Sequence, residues 1–170
     1  MSDSVEFDPV DGISVAAVGE PGHRTFMLQA RQGDAALTLV IEKEQAVAIA
    51  KAGQALLTKV GYPEPALPAD SDVFRFDEVT EPAWRVGSIE MGYIEHRDVV
   101  FLQCEELVEE GMEHASALFV VSRAQLGGLG LKALAAAAGG RPRCPLCKLP
   151  MDPEGHVCPS MNGHGQAEIR

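Results

Sequence analysis

The stretch that decides the fold is RTFMLQARQGDAALTLVIE, residues 24–42, which has the pattern of two strands joined by a tight turn. The turn falls at residues 32–34, where glycine and aspartate favour a chain reversal. Side chains of a strand point alternately to opposite faces, so the stretch predicts a β-hairpin with one buried face. Apolar residues alternate along both halves, at Phe26, Leu28 and Ala30 and then at Leu37, Leu39 and Ile41.

A strand precedes this hairpin and a helix follows it. Residues 13–19 are apolar enough for a strand, and residues 20–23 have the composition of a turn. From residue 43 to residue 60 the apolar period becomes helical, and one face is predicted to be buried. That face consists of Ala46, Ile49, Ala50, Gly53, Leu56, Leu57 and Val60. The first part of the chain is therefore predicted to be a β-β-β-α unit.

The same order of elements returns later in the chain. Strands are predicted at residues 84–94, 99–108 and 115–121. A second helix starts with Ser122 and Gln125, which form a capping-box pattern. We therefore predict an α+β fold built from two pseudo-symmetric β-β-β-α repeats, with helices packed on antiparallel sheet.

These patterns divide the chain into four segments. The first repeat is predicted at residues 1–60 and the second at residues 83–140. Between them, residues 61–82 are rich in proline and acidic residues and are predicted to be a linker, with a short extended piece at residues 73–76. Residues 141–170 are predicted to form a zinc-binding C-terminal module and tail.

Composition excludes some classes of function. The formal net charge of -11 argues against a broad nucleic-acid interface, which usually needs a basic face. The acidic N-terminus has neither part of a signal peptide, and no apolar run has the length of a membrane span. With clustered cysteines and no export signal, we expect a cytoplasmic protein. Cys104, apart from that cluster, is expected to be a small core residue.

Three of the four cysteines lie in the run CPLCKLPMDPEGHVCP, residues 144–159. Cys144 and Cys147 on a C-x-x-C turn can bind one metal ion, and His156 with Cys158 can complete a tetrahedral shell. Such a closed shell predicts structural Zn²⁺ rather than catalytic Zn²⁺, because catalytic zinc keeps an open position. His164 is an alternative fourth ligand, and disulfide or redox use of the cysteines is an alternative to zinc.

Two motif regions carry a family resemblance. They are Gly19-x-Pro21-Gly22-x-Arg24-Thr25-Phe26-x-Leu28-Gln29-Ala30 with Glu42-Lys43-x-Gln45, and Cys144-Pro-Leu-Cys147 with Asp152-Pro-x-Gly-His156-x-Cys158-Pro and Asn162-Gly163. Over nearly its whole length the chain resembles the bacterial family, common in Actinobacteria, called domain of unknown function 3090. The resemblance implies a cytoplasmic protein with a C-terminal metal-binding motif and implies no particular activity. The chain departs from the family pattern after Cys158, where Ser160 replaces a typically basic residue, which weakens a nucleic-acid role for the tail.

Polar residues near the strand ends suggest a second candidate site. His23 and Arg24 could face an anionic ligand together with Gln29, Lys43 and Gln45. Arg97 and Gln103 occupy related positions in the second repeat, so a cleft between the repeats could carry these groups. The simpler alternative is that Arg24 pairs with Glu42 across the sheet and that Gln29 satisfies backbone groups.

Three classes of function follow, in order of preference. The first is a non-enzymatic binding or adaptor protein with a structural zinc site and a protein partner. The second is an enzyme or small-anion-binding protein that uses a polar cleft between the repeats. The third is a weak zinc-ribbon nucleic-acid binder. A polar cleft would favour the second class, whereas an apolar interface with an exposed hydrophobic patch would favour the first.

Overall fold

The structure is a computed structural model that describes residues 3–20, 22–79, 81–139, 144–149, 151, 155–161 and 166–167. The chain forms two compact units, Met1–Ala137 and Ala138–Arg170. The described strands are β1 (Ser4–Phe7), β2 (Gly12–Val18), β3 (Thr25–Gln32), β4 (Ala35–Ile41), β5 (Val86–Ile94), β6 (Val99–Glu106), β7 (Ser116–Val121), β8 (His156–Val157) and β9 (Gln166–Ala167). The helices are α1 (Lys43–Val60) and α2 (Arg123–Ala138), and short 3-10 turns lie at Asp72–Phe74, Glu95–Arg97 and Pro159–Met161.

Strands β2, β3 and β4 form an antiparallel sheet, followed in the chain by α1. Strands β5, β6 and β7 form the antiparallel part of a second sheet, followed by α2. The predicted α+β fold is therefore confirmed, with three antiparallel strands and then a helix in each half. The bounds of α1 agree with the helical period in the sequence. The duplication behind this order, and the four-segment division, stay predictions.

The sequence analysis missed strand β1. It pairs in parallel with β7, so the order of the second sheet is β1-β7-β6-β5. The strand has only four residues, and only Phe7 among them is buried. So short a segment has no periodicity that distinguishes it from a loop.

The core lies where the helices cover the two sheets. Across the first sheet Val15, Leu28 and Leu39 are neighbours in register and are all buried. In the second sheet Leu102 and Phe119 are neighbours and are fully buried in the same cluster. Alternation of apolar residues along these strands therefore builds one continuous core.

Small residues bring α1 and α2 together. A Cβ added at Gly53 would lie 3.1 Å from Leu126, and one added at Gly130 would lie 3.6 Å from the Cα of Ala50. At Gly53 the side chain of Leu126 packs directly on the backbone of α1, and at Gly130 the backbones of the two helices approach each other closely. The contact between the halves is consequently apolar.

The segment predicted to be a linker packs against the folded unit. Residues 72–74 form a 3-10 turn rather than the start of an extended piece, which corrects the expectation for residues 73–76. Phe74 is only 2% exposed, and a Cβ added at Gly128 of α2 would lie 1.9 Å from its ring. The aromatic ring therefore occupies the space that this glycine leaves.

Within the described parts of the chain, no helix is both long enough and apolar enough to cross a membrane.

Candidate metal centre

The second unit brings together Cys144, Cys147, His156 and Cys158. One potential ligand atom from each residue lies within 4.8 Å of the others. The Sγ atoms of Cys144 and Cys158 are 3.8 Å apart, and Sγ of Cys147 is 3.7 Å from Nε2 of His156. Together the four residues could hold a metal ion.

A tight turn places the first two cysteines. The backbone N–H of Lys148 donates to the carbonyl of Cys144 at 2.9 Å, and the N–H of Cys144 donates to the carbonyl of Leu149 at 2.8 Å. Lys148 has a φ of 63°, in the left-handed region that completes such a turn. These bonds hold the C-x-x-C segment closed.

A short strand places the other two ligands. His156 belongs to β8, which pairs with β9, and Cys158 follows that strand directly. Gly155 directly precedes β8 and has a φ of 95°, a backbone conformation that residues with a side chain rarely adopt. The glycine that the sequence analysis associated with a short ligand loop therefore has a conformational role.

Among the described residues of this unit, the core consists mainly of the ligands. Cys144 and Cys158 are fully buried and Met151 is 2% exposed, with Cys147 packed against them. So small an apolar cluster provides little hydrophobic stabilisation, because burial contributes only about 25 cal/mol per Å² of apolar surface.

The cysteines of the cluster are free thiols that differ in acidity. The backbone N–H of Cys147 donates to the Cys144 sulfur and, with His156, lowers the pKa of Cys144 to about 6. Desolvation raises the pKa of Cys147. The lowered pKa favours the thiolate of Cys144, the form that binds metals. The separation of 3.8 Å between Cys144 and Cys158 also far exceeds a disulfide bond of about 2.05 Å.

The alternative ligand His164 lies outside the described residues.

The second set of predicted site residues has mostly structural partners. Gln29 is buried and hydrogen-bonds Thr38 and the backbone of Asp77. Gln45 accepts from the N–H of Glu42 at the start of α1, and its amide donates to the carbonyls of Val86 and Gly87.

The other predicted residues are spread over the surface. Arg97 forms a two-bond ion pair with Asp8. His23 and Lys43 are exposed, and Arg24 and Gln103 are half-buried. The proposed pairing of Arg24 with Glu42 is wrong, because Glu42 pairs with Arg85.

Sequence reasoning missed a polar network around Asp98. Its carboxylate accepts two hydrogen bonds from Arg123, at 2.8 and 3.0 Å, and one from the Tyr93 hydroxyl at 2.6 Å. Arg123 also donates to the carbonyl of Gly61 at 3.0 Å. The network joins the β5–β6 turn to the start of α2 and the end of α1. The sequence signal that could have pointed to Asp98 is its place at the end of a predicted turn, where aspartate tolerates left-handed backbone. Asp98 indeed has a left-handed φ of 52°.

A cavity of about 500 Å³ lies between α1, α2 and the chain that follows α1. None of the described residues that line it is charged. Three large apolar side chains at or near it are exposed, namely Tyr62, Leu131 and Leu134. In the described part of the first unit, the space between the two helices is thus apolar rather than polar.

Of the three comparisons with known proteins, only the comparison with family models found a match. A search of curated proteins found no match, and a search of solved structures found none. The family model described as "Protein of unknown function (DUF3090)" matches residues 5–158. That match includes all four residues of the cluster and ends before His164. Because it covers most of the chain, the protein belongs to the DUF3090 family of proteins of unknown function.

Proposed function

We propose that the protein is a non-enzymatic binding or adaptor protein whose C-terminal unit is held by one structural Zn²⁺ ion. The ligands are Cys144, Cys147, His156 and Cys158. The observation that carries the zinc proposal is the convergence of three sulfur atoms and one imidazole nitrogen within 4.8 Å. Soft thiolate and imidazole ligands together favour zinc over magnesium or calcium.

The spacing of the ligand atoms supports a tetrahedral ion. With Zn–S bonds of about 2.3 Å and Zn–N bonds of about 2.05 Å, tetrahedral geometry separates two sulfur ligands by about 3.8 Å and a sulfur from a nitrogen by about 3.6 Å. The Cys144 and Cys158 sulfur atoms are 3.8 Å apart, and the Cys147 to His156 separation is 3.7 Å. These two separations match a tetrahedral ion, and the remaining pairs of ligand atoms lie within 4.8 Å of one another.

A structural role follows from the number of ligands and from their burial. Four protein ligands fill a tetrahedral shell and leave no position for a water molecule to be activated. Cys144 and Cys158 are fully buried, and the described residues of the unit provide little other core. Metal binding then supplies folding free energy that apolar burial does not. Reduced ligand thiols also support a cytoplasmic location.

The polar side chains and the apolar cavity of the first unit favour a binding role over catalysis. Gln29, Gln45 and Arg97 make hydrogen bonds to neighbouring protein groups, so these residues are engaged in the fold. The apolar cavity between the helices and its exposed leucines suit contact with a partner better than they suit proton transfer.

Metal content of the purified protein, measured by elemental analysis, tests the zinc proposal. We expect one zinc per chain in the wild type, and loss of zinc with a lower melting temperature in Cys144→Ser and His156→Ala. Cys104→Ala is the matched control, because Cys104 is buried in the other unit and should leave the zinc content unchanged.

Two outcomes would contradict parts of this proposal. A wild-type protein without metal would overturn the zinc site and favour redox use of the C-x-x-C pair. Zinc retained in His156→Ala would move the fourth ligand to His164 or to water, and an open position would then favour the catalytic alternative.

A further inference from the structure

The cysteines of the metal cluster differ in their access to solvent. Cys144 and Cys158 are fully buried, whereas Cys147 is partly exposed. Oxidation of a cysteine requires the thiolate form and contact with the dissolved oxidant, and a sulfur that binds a metal is a thiolate. Cys147 is therefore the cysteine of the cluster that an oxidant reaches first.

A second sulfur lies within reach of Cys147. The ligand atoms of the cluster all lie within 4.8 Å of one another, and its three cysteines are free thiols. Cys144 and Cys147 also share one tight turn, which the hydrogen bond from the N–H of Lys148 to the carbonyl of Cys144 closes. Because only two residues separate these cysteines, they stay close together after the other ligands have moved apart. Cys158, which follows β8, has no such tether.

The C-terminal unit has little apolar core that would replace the metal. Apart from cysteines, the buried cluster of its described residues contains only Met151. Zinc binds thiolates, and the sulfurs of a disulfide no longer carry that charge. Loss of two of the four ligands to a disulfide therefore releases the ion, and the folding free energy that the ion supplies is lost with it.

We propose that the metal centre is a redox switch, in which a peroxide converts Cys147 and Cys144 to a disulfide and Zn²⁺ is released. The inference rests on the structural zinc site proposed above and adds a means of regulating it. In the reduced state the C-terminal unit is folded around zinc. In the oxidised state this unit loses its fold, while the first unit keeps its own apolar core.

The reaction takes place in two steps and consumes one peroxide. The Cys147 thiolate attacks one oxygen of hydrogen peroxide; an S–O bond forms, the O–O bond breaks and hydroxide leaves. The sulfur is thereby oxidised by two electrons to a sulfenic acid, and the peroxide is reduced. The Cys144 thiolate then attacks the sulfenic sulfur; an S–S bond forms, the S–O bond breaks and a second hydroxide leaves. Two protons from solvent convert the hydroxides to water, and the zinc ion keeps its oxidation state.

Addition of hydrogen peroxide to the zinc-loaded full chain tests the proposal. The chromogenic chelator 4-(2-pyridylazo)resorcinol measures the zinc that is released. Mass spectrometry of peptic fragments, after alkylation of the remaining thiols, locates the disulfide. We expect loss of zinc together with a disulfide between Cys144 and Cys147, and dithiothreitol with added zinc should restore both the thiols and the bound metal.

Two histidine substitutions separate the roles of the sulfurs, because imidazole can replace a thiolate as a zinc ligand. Cys147→His removes the exposed sulfur, and peroxide should release its zinc at least about tenfold more slowly than in the wild type. Cys158→His is the matched control, because it has the same numbers of sulfur and nitrogen ligands but retains the C-x-x-C pair. Its zinc should be released at a rate close to that of the wild type.

A second control is Cys104→Ala. Cys104 is buried in the first unit, where desolvation raises its pKa to about 12, so this substitution should change neither the rate of zinc release nor the disulfide. If a histidine variant fails to bind zinc, the location of the disulfide in the wild type alone decides the outcome.

Several results would overturn the switch. These are zinc that stays bound in the presence of peroxide, zinc release without a disulfide, a disulfide that joins Cys147 to Cys158, and equal rates of release in the two histidine variants. Reduced wild-type protein without zinc would instead overturn the metal site itself. The failure of the switch is thus distinguishable from the failure of the proposed function.

Discussion

Gln29 shows how one buried side chain can organise a long segment. Its amide nitrogen donates to the hydroxyl of Thr38 and to the carbonyl of Asp77, both at 2.8 Å, and its oxygen accepts from the N–H of Asp77 at 2.9 Å. A carboxamide pairs with a peptide group in this way as another strand would. The chain after α1 is thereby attached to the middle of the first sheet.

We predict that Gln29→Ala lowers the free energy of unfolding by about 2 kcal/mol, because buried partners lose their hydrogen bonds. Gln103→Ala, on the inner strand β6 of the second sheet, is the control; its side chain makes no hydrogen bond within the described chain, and the change should cost less than about 1 kcal/mol. Urea unfolding measures both. Equal losses of unfolding free energy in the two variants would show that strand propensity, rather than the hydrogen bonds to Asp77, determines the destabilisation.

At the same scale, Asp98 gives the stability a pH dependence. Hydrogen bonds from Arg123, and then from Tyr93, lower the pKa of this carboxyl. A lowered pKa in the folded state means that the stabilisation is present above the unfolded value of about 3.9 and is lost as pH falls through the folded value.

The difference in free energy of unfolding between wild type and Asp98→Asn should therefore be larger at pH 7 than at pH 3. Asparagine tolerates the left-handed φ of 52°, so the substitution tests the charge rather than the backbone. Asp34→Asn, in the exposed β3–β4 turn, is the control. A difference for Asp98→Asn that stays constant with pH would contradict the assignment.

At the scale of elements, the glycines of α2 have unequal roles. A glycine within a helix costs about 1 kcal/mol of helix propensity relative to alanine. At Gly128 this cost is offset by packing, since an added Cβ would lie 1.9 Å from the ring of Phe74. At Gly127 an added Cβ would lie 3.7 Å from Leu57, an ordinary contact.

We expect Gly128→Ala to destabilise the protein by about 1–3 kcal/mol, as overpacking of a core does. Gly127→Ala should leave the stability unchanged or raise it by up to about 1 kcal/mol. Thermal and urea unfolding of the two variants measure the contrast. A stabilised Gly128→Ala would mean that Phe74 moves away without loss.

The elements that could be predicted are those whose signal is local. The hairpin of β3 and β4 follows from alternation over 19 residues, the bounds of α1 follow from its helical period, and the metal cluster follows from short cysteine and histidine spacings. Contacts between distant segments have no such signal. The hydrogen bonds from Gln29 to Asp77 join residues 48 positions apart, and the short strand β1 pairs with a strand 112 positions away.

At the scale of the whole molecule, the two units should respond differently to metal removal. The first unit has an extensive apolar core of its own, whereas the described core of the second consists mainly of the candidate metal ligands. We predict that a chelator raises amide hydrogen exchange across β8 and the C-x-x-C turn while β6 keeps its protection.

Mass spectrometry of peptic fragments makes that measurement, and Cys144→Ser should reproduce the pattern without a chelator. Cys104→Ala should not reproduce it, because Cys104 belongs to β6. Exchange that rises equally in β6 would show that the metal stabilises both units as one cooperative structure.

The parallel pairing of β1 with β7 also determines when the second sheet can be completed during synthesis. Strands β2, β3 and β4 are contiguous with α1, so a nascent chain can assemble them soon after residue 60 leaves the ribosome. Strand β1 is made earlier than any of them, yet its partner residues are 116–119. Strand β1 therefore stays without its strand partner until β7 has been synthesised. Only then can the second sheet, and with it the core of the first unit, be completed.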